Sequence, residues 1–200
     1  MTPRTINETR HSHAHAPSLA LSNAKAALTD LLEAGIPVPE FRDALARAAT
    51  AVTVVTTDGP AGRAGVTCSA VASVCDTPPT VLVCVNRRSY VNGVIKLNDV
   101  LCVNWLSSQQ SAVSDMFAGV GQIPMPERFV RGPWETLATG APYSADATIA
   151  LDCRVVEAME VGTHSIFLAR VVATKTHVEE HRDPLVYCRR SYATTRPTAH

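Results

Sequence analysis

No stretch of the 200-residue chain is apolar for long enough to cross a bilayer as a helix. The longest apolar runs, such as Thr80 to Val85 with its Val-Leu-Val-Cys-Val, fall far short of the about 20 residues a spanning helix needs. The N-terminus also lacks an apolar signal segment, so the expectation is a soluble, cytoplasmic protein with no membrane partner. Charge of one sign is missing as well: 18 Lys and Arg stand against 18 Asp and Glu, which argues against nucleic acid or an anionic surface as a partner. There is no Cys-x-x-Cys pair and no histidine at ligand spacing from a cysteine. The six cysteines, Cys68, Cys75, Cys84, Cys102, Cys153 and Cys188, stand singly inside β-like runs, which leaves buried free thiols and no metal as the expectation.

Three catalytic or nucleotide-binding devices are absent too. No Gly-x-Gly-x-x-Gly follows a strand and opens a helix. The nearest string, Gly119-Val120-Gly121-Gln122-Ile123-Pro124, ends in proline and follows the apolar end of a helix. No Walker-type loop and no Gly-x-Ser-x-Gly elbow occur, so a Rossmann or P-loop device is excluded and nothing supports a hydrolase. His177-Val178-Glu179-Glu180-His181 has the spacing of inverted zinc peptidases. It follows a Val-Thr-rich strand, however, and no carboxylate after Asp183 could be a third ligand, so it reads as a solvated loop between the last two strands.

What is present is β-like punctuation. Residues 1–17 are polar, carry His11, His13 and His15 in alternation, and read as a disordered tail. Residues 18–40 form a helical extension, with Leu21, Ala24, Leu28, Leu31 and Leu32 at helical spacing before Gly35, Pro37 and Pro39. A short second helix carries Phe41, Ala44, Leu45 and Ala48 on one face. Val-, Thr- and Ile-rich runs then predict strands at 51–57, 65–75, 80–85, 100–106, 148–156, 165–174 and 185–188. Brief helices are predicted at 90–97 and 107–117. Strands at short spacing with little helix between them point to a mainly β antiparallel barrel occupying 41–193, with a tail at 194–200.

Small and hydroxyl-bearing residues at Gly65-Val66-Thr67-Cys68-Ser69-Ala70 either let a flat ring approach the backbone or merely let strands pack. Asn86-Arg87-Arg88-Ser89, between a strand and a helix start, offers backbone N–H groups, a hydroxyl and guanidinium groups to a phosphate, or is simply a capped helix with surface arginines.

These two segments, in order with Phe41 to Leu45, Ala51 to Thr57, Pro78 to Val85, Val103-Asn104, Phe117-Ala118-Gly119, Gly162 to Phe167, Pro184 to Tyr187 and Tyr192, resemble the flavin reductase domain family, the reductase components of two-component flavin-dependent monooxygenases. The resemblance implies a split antiparallel β-barrel of the FMN-binding, Greek-key type with a few short helices. It implies an NAD(P)H:flavin oxidoreductase that transfers hydride from NADH or NADPH to FMN or FAD, acts as a homodimer and serves a partner monooxygenase. It further implies that Thr67, Cys68, Ser69, Asn86, Arg87, Arg88, Ser89, Phe117 and Gly119 hold the flavin. His164, Tyr187, Arg189 and Tyr192 would hold the nicotinamide nucleotide, with His164 the catalytic candidate. The family usually carries Asp before that histidine, and Thr163 stands there instead. A non-catalytic FMN-binding module and a pyridoxamine-phosphate-oxidase-like oxidase are the alternatives on the same barrel.

Overall fold

The computed structural model describes residues 35–177 and 182–196. It divides into two units, Met1–Leu45 and Ala46–His200. In the first, the described part holds one helix, α1 (Val38–Leu45), which buries none of its residues. The residues assigned above to the tail and to the helix around Leu21 to Leu32 lie outside the described residues, as does most of the His177 to His181 string.

The second unit is built on a seven-stranded, wholly antiparallel sheet ordered β3-β2-β6-β9-β10-β5-β4. Its strands are β2 (Thr53–Thr57), β3 (Ala64–Cys68), β4 (Val71–Asp76), β5 (Pro79–Asn86), β6 (Val100–Trp105), β9 (Ile149–Val161) and β10 (His164–Thr176). A smaller sheet of β1 (Thr50–Ala51), β11 (Leu185–Cys188) and β12 (Ser191–Thr194), and a hairpin of β7 (Trp134–Thr136) and β8 (Pro142–Ser144), complete the β structure. The helices of this unit are α2 (Tyr90–Asn98), α3 (Ser111–Ala118) and α4 (Met125–Val130).

The predicted strand 51–57 is broken at Val52, and the reason is a junction. Val52 donates its N–H to the Leu185 carbonyl and accepts from Leu106, while Leu185 donates to the Leu106 carbonyl. One short segment thereby ties the two sheets together. The predicted run 65–75 is likewise two strands, β3 and β4, parted at Ser69-Ala70, where the Ala70 carbonyl accepts from the Cys84 N–H. That break places the small-residue segment at a corner, beside β5.

Period-two alternation explains the core. Val81, Val83 and Val85 of β5 face inward against Phe167 and Ala169 of β10, Leu101 and Val103 of β6, and Val91, Val94 and Ile95 of α2. Each fully buried side chain of this size contributes about 1.5–3 kcal/mol of transfer free energy. A second cluster gathers Phe117, Phe129 and Trp134, whose rings meet edge-on at 5.2–5.4 Å. Asn98, at the end of α2, holds the loop after β2: it donates to Thr57 Oγ1 and the Gly62 carbonyl and accepts from Ala61.

Candidate active site

Two cavities adjoin at the corner between β3 and β4. The larger, of about 480 Å³, is lined by Val52, Ser114, Asp115, Ala118, Tyr187 and Tyr192 among others; the smaller, of about 240 Å³, by Ala70, Cys84, Asn86, Ser89 and His164 among others. Thr67, Cys68 and Ser69 line both and form a wall common to them. Among the described residues β3 pairs with one neighbour only, so this wall is also a sheet edge with backbone groups directed away from the ladder.

On the smaller side, β5 ends at Asn86 directly opposite His164, the first residue of β10. Asn86 Oδ1 accepts from the Arg88 N–H. The Asn86 amide N–H groups and the Ser69 and Ser89 hydroxyls have no partner among the described residues, so three side-chain donors converge on one small cavity. That donor set suits an anionic or carbonyl-rich ligand and would be costly to leave dry. His164 reaches its place through the two-residue turn after β9. Gly162 takes φ +52 at the first turn position, and the Thr163 hydroxyl lies 2.9 Å from His164 Nδ1. A hydroxyl thus fixes the imidazole where a carboxylate was the expected orienter.

On the larger side, Tyr187 and Tyr192 stand edge to face at 5.6 Å. The Tyr192 hydroxyl donates within reach of Asp115 Oδ1 at 2.6 Å and Ser114 Oγ at 2.9 Å. Burial, then the bond to Asp115, pushes the Tyr192 phenol above its ordinary pKa. Burial likewise pushes the Cys68 thiol up to about 11, and its Sγ lies 3.3 Å from the Cys84 carbonyl. Cys68 therefore shapes the wall as a neutral thiol.

Several expected site residues stand elsewhere or have their polar groups committed to the protein itself. Phe117 does not close over a cavity: it is buried to 2% exposure, and a Cβ on Gly65 would lie 2.6 Å from its ring. The flat ring that the bare strand at Gly65 admits is the protein's own. Gly119 ends α3 with φ +95, and of that string Ala118 alone lines either of these two cavities. The Thr67 hydroxyl is committed to the Ser114 carbonyl at 2.6 Å, which ties the wall to α3. Arg87 pairs with Glu160 at 2.7 Å rather than lining a cavity, because the β9–β10 turn lies beside it. Arg189 turns its N–H to the Ala46 carbonyl, and its neighbour Arg190 lines the larger cavity instead. His164 and the two tyrosines, expected together, line different cavities. Ser114, Asp115 and Ala118 were missed, although positions i, i+1 and i+4 of a helix share a face and could have been singled out.

The class this geometry defines is a mainly β antiparallel protein with two joined ligand cavities on one sheet edge. Residues 45–196 match the flavin reductase like domain, and the chain belongs to that family. The FMN reductase (NADH) RutF of Ancylobacter novellus is 48% identical over 153 residues, which span 76% of this chain and 82% of that one. A Haemophilus somnus protein, solved and described as a flavin reductase, superposes with a TM-score of 0.76 at 41% identity, covering 80% of this chain and 100% of the other. The NADH:FAD oxidoreductase SgcE6 of Streptomyces globisporus, solved with NAD and FAD fragments, gives a TM-score of 0.73 at 26% identity, covering 84% of this chain and 100% of that one.

Proposed function

We propose that this chain is a split-barrel flavin reductase that oxidises NADH, reduces FMN and hands the reduced flavin to a partner monooxygenase. The observation that carries the reading is the segment Thr67-Cys68-Ser69, which lines two adjoining cavities at once. Two ligands that share this lining lie against one another, the direct contact that hydride transfer between them requires.

The segment Thr67-Cys68-Ser69 would receive the flavin ring, and Asn86 and Ser89, with Arg88, would hold its phosphate at the N-terminus of α2. Ser69 and the open edge of β3 supply donors to the ring's pyrimidine side, where reduction concentrates negative charge. His164 borders the smaller cavity and orients the nicotinamide carboxamide. Tyr187, Tyr192 and Arg190 serve the rest of the dinucleotide from the larger cavity by stacking and charge. Hydride passes from NADH to the flavin, which needs no strong acid or base from the protein. Thr163 and Asp115 act on geometry: the first holds the imidazole, the second holds the Tyr192 hydroxyl.

A homodimer in the cytoplasm suits this reading. Exposed apolar residues on β9 and β10, namely Val156, Met159, Val161 and Val172, offer a surface for a second copy. The test is to incubate the purified full chain with NADH in air, with and without FMN or FAD, and to repeat the assay with NADPH. NADH consumption that depends on flavin, with FMN and NADH preferred, is the expected result; consumption indifferent to flavin sinks the reading.

A further inference from the structure

We propose that Arg87 is a positioning residue for His164, holding the turn that carries it, and not a ligand of the flavin phosphate. The inference rests on the flavin reductase reading and adds a residue to its machinery. Arg87 follows Asn86, which faces His164 across the β5–β10 ladder. From there Arg87 meets three neighbouring positions of the β9–β10 hairpin. Its N–H donates to the Thr163 carbonyl at 2.9 Å, its Nη1 to the Gly162 carbonyl at 3.3 Å, and its Nε pairs with Glu160 Oε2 at 2.7 Å.

Glu160 is fixed in turn. Lys96 of α2 reaches its Oε1 at 2.5 Å, and the buried Ser165 hydroxyl lies 3.0 and 3.1 Å from its two oxygens. Ser165 is itself held by the Asn92 amide at 2.9 Å. The carboxylate thereby links the hairpin to α2, the helix whose start is the phosphate corner.

The hairpin end needs such a clamp because it has no core of its own. Residues 156–163 are all exposed, and Gly162 and Thr163 form the turn itself. Ladder bonds alone leave the turn free to rock, and the imidazole rocks with it. Arg87 fixes the turn carbonyls, and the Thr163 hydroxyl then fixes the imidazole at Nδ1. A planar guanidinium suits this work, since one fork can serve a carboxylate and a carbonyl together; an ammonium cannot reproduce it.

The experiment is a double-mutant cycle with Arg87→Gln, His164→Ala and their combination, with Arg87→Lys and Glu160→Gln as companions. Each variant is read by steady-state kinetics, by thermal melting, and by FMN binding from fluorescence quenching in the absence of nicotinamide. Arg87→Gln is expected to raise KM for NADH about tenfold and to leave kcat and FMN affinity within about twofold. It should add nothing to KM in the His164→Ala background. Arg87→Lys should behave like Arg87→Gln, and Glu160→Gln should reproduce the effect if Arg87→Gln does not fold. FMN affinity falling tenfold in Arg87→Gln and recovering in Arg87→Lys overturns the proposal in favour of a phosphate contact. So does an effect on KM that persists in full without His164. Failure of the underlying functional reading is seen separately, as a wild-type protein that oxidises no NADH with flavin.

Discussion

The wall residues divide by chemistry. Cys68 stays protonated because burial pushes its thiol up to about 11, so at pH 8 only about one molecule in a thousand carries the thiolate. Iodoacetamide at pH 8 should label Cys68 far more slowly than an ordinary thiol, with the rate climbing towards pH 11; rapid labelling at pH 8 contradicts the assigned burial. Glu160 shifts the other way, held below the ordinary carboxylate range first by its bond to Lys96. A lowered carboxyl pKa means that its contribution is present above the unfolded value and is lost only as pH falls through the folded one. The difference in KM for NADH between wild type and Glu160→Gln should therefore stay constant from pH 8 down to the ordinary carboxylate range, and a difference that shrinks already at pH 6 would contradict the assignment. His164→Ala should raise KM for nicotinamide about tenfold or more while kcat falls less, since hydride transfer needs position more than a proton from this side chain. Turnover abolished at unchanged KM would place the imidazole in the chemistry itself.

Elements were legible where period and composition agree. The alternation Ile149, Leu151, Cys153, Val155 marks β9, and Tyr90 to Leu97 lies within α2. β9 runs on to Val161 because its exposed end pairs with β10, and exposed pairing leaves no alternation to read. β7, β8 and β12 are short, and a three- or four-residue strand carries too few positions for a period. The same limit applied to the site. Asn86 and Ser89 follow from strand-end and helix-start chemistry and His164 from the family resemblance, whereas the turning of Arg87 to Glu160 and the burial of Phe117 depend on partners far away in sequence. Gly65 shows what this means for stability. A methyl there meets the Phe117 ring at under 3 Å, so Gly65→Ala should cost about 1–3 kcal/mol in denaturant unfolding. Phe117→Leu in the same chain should recover part of that loss; no loss at all would show that the ring can yield.

At the scale of the whole molecule, the seven-stranded sheet has one important corner. β3 and β4 are its two edges, yet they follow one another in sequence through Ser69-Ala70. That short connection brings the open edge of β3 to the end of β5, where α2 begins and the β9–β10 hairpin returns. α3 and the β11–β12 hairpin supply the other side. A ligand wall two cavities deep is thus a consequence of topology, and the chain supplies it with small residues, hydroxyls and amides instead of a glycine-rich phosphate loop. The claim that two nucleotides meet at these residues is tested most directly without oxygen. FMN-loaded protein mixed anaerobically with NADH should lose the oxidised flavin's visible absorbance within seconds, one flavin per NADH consumed. An absorbance unchanged after minutes at saturating NADH would contradict the account.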